Sequence, residues 1–289
     1  DIKKIIVSNE NKHSLIHLFN SSFVLDSDNL DNLPIGLFGE FYNQNMTFFL
    51  VNKNFLKNTK LIFNNCRINI DRIILKPFVE GINFLQKNKN NKNFTVINFE
   101  DKKISISLFR NNSYVLNQEF NFGIELIVKD ISKLCSLKIE EVEVLLKEIN
   151  LTSTVEVESE SCLDRKFFLN SPYRKIKHQL ILDIITARLD ELIEICYEKN
   201  INLNYFRKNN NAIYVTIENI QYFKNIEQAL QKNKLINPEW IYNKNTPENS
   251  LFSLNGAAEL IGKGWAKEAI PVAQTKKTLF SSFFSKLFS

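Results

Sequence analysis

Few residues of this 289-residue chain combine a reactive type with a spacing that would let it do chemistry. Glu156, Glu158 and Glu160 alternate along Thr154–Glu160, so their carboxylates share one face of an extended segment. General acid–base work needs carboxyls whose environments push their pKa values apart. Three like side chains on one face read instead as a solvated strand edge. His13 and His17 stand at i, i+4, but no acidic partner makes the pair a metal site. Cys66, Cys135, Cys162 and Cys196 are far apart, lack any C-x-x-C, and read as reduced, mostly buried thiols of a cytosolic protein. There is no G-x-x-x-x-G-K-S/T, no G-x-G-x-x-G and no H-E-x-x-H, and no Ser/His/Asp set with a nucleophile elbow. Seven glycines leave little for phosphate loops. The residues predict neither a metal site nor an enzyme of these kinds.

One stretch does carry a physical signal. In Thr278–Ser289 (TLFSSFFSKLFS) the apolar residues Leu279, Phe280, Phe283, Phe284, Leu287 and Phe288 fall at i, i+1, i+4, i+5, i+8, i+9. At about 100° per residue they fill one half of a helical wheel, with Ser281, Ser282, Ser285, Lys286 and Ser289 on the other. The segment is too short to span a bilayer. Its uniform Phe/Leu face behind a polar tether suits the membrane surface, the alternative being a terminal helix docked on the body of the protein. The net charge of +5 suits an anionic surface and does not demand nucleic acid. Lys87, Lys89 and Lys92 lie in an Asn-rich stretch that reads as a solvated loop.

Strands and helices alternate along the rest, which predicts an α/β class. Strands are expected at Leu15–Leu25, with a break or bulge over Asn20–Ser22, and at Met46–Val51, Arg72–Leu75, Phe94–Phe99, Lys103–Phe109, Tyr114–Phe120, Thr154–Glu160 and Ala212–Ile217. Phe167–Leu169 is expected to pair with the Thr154–Glu160 strand, and Pro77 to end the Arg72–Leu75 one. Helices are expected at Asn54–Arg67, with Phe55, Leu56, Thr59, Ile62, Phe63 and Cys66 on the inner face, and at Val79–Leu85, Ile124–Cys135, Ile139–Ile149, Ile176–Tyr197 and Ile226–Lys232. The core side of Ile176–Tyr197 is read as Leu180, Ile181, Ile184, Ile185, Leu189, Leu192 and Ile195, and Leu251–Trp265 as a small-residue helix in close packing.

The order of several segments resembles a known family. They are Asp1-Ile2-Lys3-Lys4-Ile5, His17 to Asp26 (HLFNSSFVLD), Pro34-Ile35-Gly36-Leu37-Phe38-Gly39, the helix at Asn54 followed by Asn69 to Pro77 (NIDRIILKP), the helix Ile185 to Leu192 with Arg188 and Glu191, Ser253 to Ala258 (SLNGAA), and the tail. In this order they are similar to FtsA, the actin-like bacterial protein that attaches the FtsZ ring to the membrane. The resemblance covers nearly the whole chain. It implies an α/β, actin-like (ribonuclease H-like, ASKHA) body, with a small inserted α+β subdomain and a C-terminal amphipathic helix. The chain opens on Asp1 inside the subdomain called 1C, so the body is expected to be N-terminally truncated and to lack the first phosphate loop. On this mapping residues 1–76 are the latter part of 1C, and 77–91 link through domain 1A. Residues 92–265 are domain 2 with a return helix at 251–265, 266–277 a linker, and 278–289 the membrane-targeting helix.

The family's second phosphate pattern, D-I-G-G-G-T-x-D, falls without a gap on Asn98-Phe99-Glu100-Asp101-Lys102-Lys103-Ile104-Ser105. Glycines let a hairpin turn bring backbone N–H groups against a phosphate; Glu100 and Asp101 put side chains and negative charge there. Asn98 and Ser105 replace the two aspartates that organise metal and water in this superfamily. The adenosine pattern L-T-G-G becomes Val215-Thr216-Ile217-Glu218-Asn219. ATP and Mg thus enter only through the resemblance, with Lys102 and Lys103 as the remaining phosphate contacts, and no ATP hydrolysis is expected. The resemblance further implies FtsZ and other division proteins as partners, with the FtsZ contact in subdomain 2B at about residues 126–180. It implies self-association into filaments, an anionic membrane surface held by Leu279, Phe280, Phe283, Phe284, Lys286, Leu287 and Phe288, and a place on the cytoplasmic face of the inner membrane at the division septum. The alternatives are an actin-like ATPase with an unusual site and an actin-like pilus or secretion assembly protein.

Overall fold

The computed structural model describes residues 12–87, 91–148, 161–204, 212–218, 223–237, 239, 241–243 and 251–269. The expectations placed on Asp1–Ile5, Thr154–Glu160 and Thr278–Ser289 lie outside these residues. Two compact units divide the chain. One comprises Asp1–Lys92, Phe109–Val115 and Phe252–Ser289, the other Asn93–Leu108 and Leu116–Leu251.

In the first unit, β1 (His13–Leu25) runs antiparallel to β3 (Tyr42–Asn52), with the short β2 (Asp28–Leu30) on the other edge of β1. The β1–β3 register slips between Leu15 and His17 and again between Asn20 and Ser22, and the second slip is the expected bulge. Chain reversal after β1 uses Asp26 at φ 55, whose Oδ1 accepts the N–H groups of Glu40 (2.9 Å) and Phe41 (2.8 Å). Helix α1 (Lys53–Asn65) follows β3 directly, capped by Asn52, whose side chain accepts the Asn54 N–H at 2.8 Å.

The expected inner face of α1 is not buried. None of its residues is buried, Phe55 is 62% and Ile62 63% exposed, and Phe63 and Cys66 are exposed as well. Leu56 and Thr59 are only half-buried. Periodicity identifies which side of a helix is apolar; it does not supply what covers that side.

Arg72–Leu75 is not a strand. The Leu75 N–H donates to His17 Nε2 (3.1 Å) and Arg72 Nη2 donates to the Glu268 carboxylate (2.6 Å). Pro77 begins a helix instead of ending a strand. It sits in the first turn of α2 (Lys76–Lys87), where a missing N–H costs no intrahelical bond. Phe78, Val79, Ile82, Phe84 and Leu85 are the buried side of α2. Against it packs the small-residue helix, here α7 (Phe252–Lys263). A Cβ on Gly256 would lie 2.2 Å from the Val79 carbonyl oxygen, so the close approach requires glycine there. The core of the unit is aromatic: Phe49 and Tyr114 stack at 4.4 Å between centroids, and Phe19 meets Phe78 edge-on at 4.6 Å.

The second unit is built on the sheet β6-β5-β4-β7-β8, whose strands are β4 (Phe94–Phe99), β5 (Ile104–Arg110), β6 (Ser113–Phe120), β7 (Ala212–Ile217) and β8 (Ile241–Asn243). β4 and β5 are neighbours joined by the turn Glu100–Lys103, closed by the Glu100 N–H on the Lys103 carbonyl at 2.9 Å: the expected hairpin. β7 lies parallel to β4, and β8 parallel to β7. Every residue of β4 and β7 is buried, so neither strand has a solvated face and Thr95, Asn98 and Thr216 are enclosed along with the apolar residues.

Helices α3 (Glu125–Cys135), α4 (Ile139–Glu148), α5 (His178–Ile193) and α6 (Phe223–Gln231) complete this unit. α5 continues into a π turn, Glu194–Glu198. Its buried set is Ile181, Leu182, Ile184, Ile185, Leu189, Leu192 and Ile193, so Leu182 and Ile193 replace the expected Leu180 and Ile195, which are 45% and 42% exposed. The wider π turn then brings Cys196 and Tyr197 inward, a shift that a 3.6-residue count misses. Phe167 ends a single 3-10 turn, Arg165–Phe167, and Leu169 is exposed, so Phe167–Leu169 is no strand. Of the cysteines, Cys135 and Cys196 are buried and Cys66 is exposed; burial pushes the Cys196 thiol up to about 12.

Glu141 fixes the start of α4. Its carboxylate is 2% exposed and accepts the N–H groups of Lys138 (2.8 Å) and Asn170 (2.5 Å) and the Ser171 hydroxyl. Burial pushes its pKa up, but these hydrogen bonds outweigh burial and hold it below the usual carboxylate value. A depressed native pKa gives stability that is present above the unfolded pKa and lost as pH falls through the native one. Glu141→Gln should therefore destabilise the protein by on the order of 1–3 kcal/mol at neutral pH in urea unfolding, with the deficit shrinking toward about pH 3. An equal deficit at both pH values would show that charge is not what the three donors recognise.

Candidate functional site

Parallel strands bring their C-terminal ends to one edge of a sheet, where α/β proteins place ligands. Here the register pairs Asn98 with Thr216 and Phe99 with Ile217, so the two segments singled out by sequence, Asn98–Ser105 and Thr216–Glu218, meet at the ends of β4 and β7. The Thr216 hydroxyl donates to Asn98 Oδ1 at 2.7 Å in a buried contact, and Asn98 Nδ2 donates to Glu100 Oε1 at 2.8 Å. The Glu218 N–H continues the ladder onto the Phe99 carbonyl at 3.0 Å.

The N-terminus of α3 closes on the same turn. The Ile124 and Glu125 N–H groups donate to the carbonyls of Glu100 (3.1 Å) and Asp101 (2.8 Å). A Cβ on Gly123 would lie 2.4 Å from the Glu100 oxygen, so glycine permits this contact. Helix N-terminal amides are ready anion donors; these two are taken by the protein's own turn.

The remaining site residues are placed as follows. Asp101 and Lys102 are exposed at the tip. Lys103 Nζ pairs with Glu119 Oε1 at 3.2 Å, so this candidate phosphate contact is engaged by β6. Ser105 is buried on β5. With Glu100, Asp101, Glu125 and Glu218 around it, the edge carries more negative than positive charge. As built, the arrangement is a hydrogen-bonded latch between strands, with no nucleophile and base in contact. Among the described residues no group of three or more His, Cys, Asp or Glu is placed to hold a metal ion, and no helix is long and apolar enough to cross a membrane. The membrane-binding set from Leu279 to Phe288 lies outside the described residues.

One cluster has no signature in the sequence. His17 has an acidic partner 251 residues away: its Nδ1 lies 2.5 Å from Glu268 Oε1. Since Nε2 accepts the Leu75 N–H, the proton sits on Nδ1 and is donated to Glu268. Arg72 Nη2 reaches the same oxygen at 2.6 Å, while Glu268 Oε2 is buried without a hydrogen-bond partner. Only the i, i+4 pairing with His13 is visible locally, and it carries no signal for Glu268.

A three-stranded meander extended by two parallel strands, with helices packed on it, makes a mixed α/β fold. Among curated proteins, the cell division protein FtsA of Agrobacterium fabrum is 19% identical over 208 residues, covering 69% of this chain and 47% of that protein. The FtsA of Rhizobium meliloti is 20% identical over 208 residues with the same coverage. The chain spans about half the length of the curated relatives it matches. Solved structures similar to it include the PilM–PilN type IV pilus biogenesis complex (TM-score 0.48, 11% identity, 92% of this chain and 70% of that one) and MreB5 of Spiroplasma citri bound to AMPPNP (TM-score 0.48, 13% identity, 72% and 64%). No protein-family model matches.

Replacing Asn98 by Leu leaves the buried Thr216 hydroxyl without its acceptor and should destabilise by on the order of 1–3 kcal/mol. Adding Thr216→Val should recover part of that loss, because removing both partners is milder than stranding one. Chemical denaturation of the three variants checks this; strictly additive losses would mean that the two side chains are not coupled.

Proposed function

We propose that this chain is the actin-like body and membrane tail of a divergent FtsA-like division protein. It binds FtsZ and other division proteins, self-associates into filaments, and works on the cytoplasmic face of the inner membrane at the septum. The observation that carries this reading is the 208-residue alignment to FtsA sequences, joined to the Phe/Leu arc of the tail. Residues 1–76 are proposed as subdomain 1C, 92–265 as domain 2, and 266–277 as the linker to the tail. The role is structural, not catalytic: the second phosphate turn carries Glu100 and Asp101, and its neighbouring amides and Lys103 already have protein partners. The alternative of an ATPase rests on Lys102 alone.

Co-sedimentation with FtsZ filaments tests the division role. The chain should pellet with polymerised FtsZ well in excess of what sediments without it. Failure to pellet, with capture instead by the cytoplasmic peptide of a pilus or secretion assembly protein, would shift the reading to that class.

The tail is proposed to lie in the plane of anionic membranes. Full burial of a Phe or Leu is worth about 1.5–3 kcal/mol, and about half of that at the interface gives roughly 5–9 kcal/mol gross for six residues. Ordering a short helix offsets a large part, while Lys276, Lys277 and Lys286 add about 1 kcal/mol each near anionic lipid. A single tail therefore binds reversibly, and several on one filament bind firmly through effective concentration. Phe284→Glu should release the protein from anionic liposomes in flotation, and Ser282→Glu should do much less. Equal loss from both, or none from Phe284→Glu, would mean that the tail packs on protein.

A further inference from the structure

Charge is segregated along the first unit. Over residues 26–52 every charged side chain is acidic: Asp26, Asp28, Asp31 and Glu40. Over residues 53–70 every one is basic: Lys53, Lys57, Lys60 and Arg67. Each stretch also holds large apolar side chains in water. The tip 31–41, between β2 and β3, exposes Ile35, Leu37 and Phe38, and α1 exposes Phe55, Ile62 and Phe63. At the tip, Asp26 accepts the Glu40 and Phe41 amides and Asp31 faces Lys92. Asp28 and Glu40 are exposed, and their carboxylates have no partner among the described residues. The same holds for the ammonium groups of Lys57 and Lys60 on α1.

The two patches stand at opposite ends of one ribbon. Leu25 pairs with Tyr42 where the acidic tip begins, and His13 pairs with Asn52 where α1 begins. The 13 residues of β1 span about 40 Å, and the 13 of α1 about 20 Å. Asp26 ties the tip at its neck and Lys267 holds the Asp31 carbonyl, so tip and helix do not cover each other within one chain. Charge excludes most other ways of covering them. Tip on tip brings carboxylates together, and helix on helix brings ammonium groups together, so a two-fold pairing through either patch is repelled. The Phe/Leu tail, with Lys276, Lys277 and Lys286, would suit the tip but not α1. An anionic lipid surface would suit α1 but not the tip. A second copy of this chain presents both patches, each with the charge opposite to the one it meets.

We infer that copies of this chain associate head to tail, the tip 31–41 of one seated on the apolar face of α1 of the next, with Asp28 and Glu40 facing Lys57 and Lys60. Exposed ion pairs add little affinity, so burial of Ile35, Phe38, Phe55 and Ile62 drives the contact and charge selects its polarity. Because the two patches differ, the contact is heterologous: two copies leave one tip and one helix open for a third. This gives the self-association proposed above a surface. It requires neither FtsZ nor a membrane, so a failed co-sedimentation with FtsZ leaves it standing.

Sedimentation velocity on the full chain at low salt tests this. The weight-average sedimentation coefficient should rise with protein concentration. Lys57→Glu with Lys60→Glu, and separately Asp28→Lys with Glu40→Lys, should each shift that rise about tenfold to higher concentration. The urea midpoint should not move, because all four side chains are exposed. An equimolar mixture of the two variants should recover the wild-type rise, since each reversed patch then meets the other. Phe38→Ser, at a fully exposed position, should weaken association with no charge changed, and it keeps the test valid if a reversal unfolds the unit. A sedimentation coefficient independent of concentration, a mixture no more associated than its components, or association that none of these substitutions weakens overturns the inference. Loss of flotation with anionic liposomes on reversal of the α1 lysines, with sedimentation unchanged, also overturns it and assigns α1 to lipid.

Discussion

Burial of both faces of β4 and β7 leaves Asn98 and Thr216 no water to turn to, so each must find the other. That requirement holds the parallel register, since a slip of either strand by one residue would part the two polar side chains and strand both. From this pairing follow the position of the Glu100–Lys103 turn, the seat of α3 upon it, and the close approach that Gly123 permits. The polar edge that other proteins would leave open for a ligand is here satisfied from within. Its hydrogen bonds run strand to strand and helix to turn, which stiffens the sheet end.

The two units solve the burial problem by different means. The second has an aliphatic core, with Ile97, Ile104, Ile106 and Ile127 facing the inward arc of α5. The first is aromatic, and much of its apolar surface stays in water: Phe38 is fully exposed in the loop that Asp26 ties down, and no residue of α1 is fully buried. The charged residues of α1 are all lysines (Lys53, Lys57, Lys60). Its amphipathic pattern is real in sequence and unmatched among the described residues.

Signals that live within one element are legible in the amino-acid sequence alone. The strands β4 and β7, the bulge in β1, the hairpin at Glu100–Lys103 and the close packing of the Gly256 helix all follow from local spacing or from one small residue. What local spacing misses is anything decided at a distance or by a change of helical pitch. Arg72–Leu75 has strand-like composition, yet its donors go to His17 and Glu268, so no ladder forms. Ile195 fits an ideal helix wheel, but the π turn after Ile193 re-aims it, while Leu180 lies in the first turn of α5 and stays 45% exposed. At the candidate site the sequence locates both segments and their lost glycines. It does not reveal that Thr216 and Asn98 bond to each other, because that bond joins residues 118 apart in the chain.

The short antiparallel bridge of Phe19 with Glu268 has a mechanical meaning. The Asn20 N–H donates to Lys267 (2.8 Å) and the Ala269 N–H to Leu18 (2.7 Å), while the Glu268 side chain is gripped below them by His17 and Arg72. Tension entering the body through residue 270 thus meets backbone bonds on β1 and a buried ionic clasp before it can reach α7. Bonds that lie across the direction of pull break together in shear, not one at a time as at a frayed helix end. A pull applied past Ala269 would therefore load β1 of the three-stranded sheet before α7.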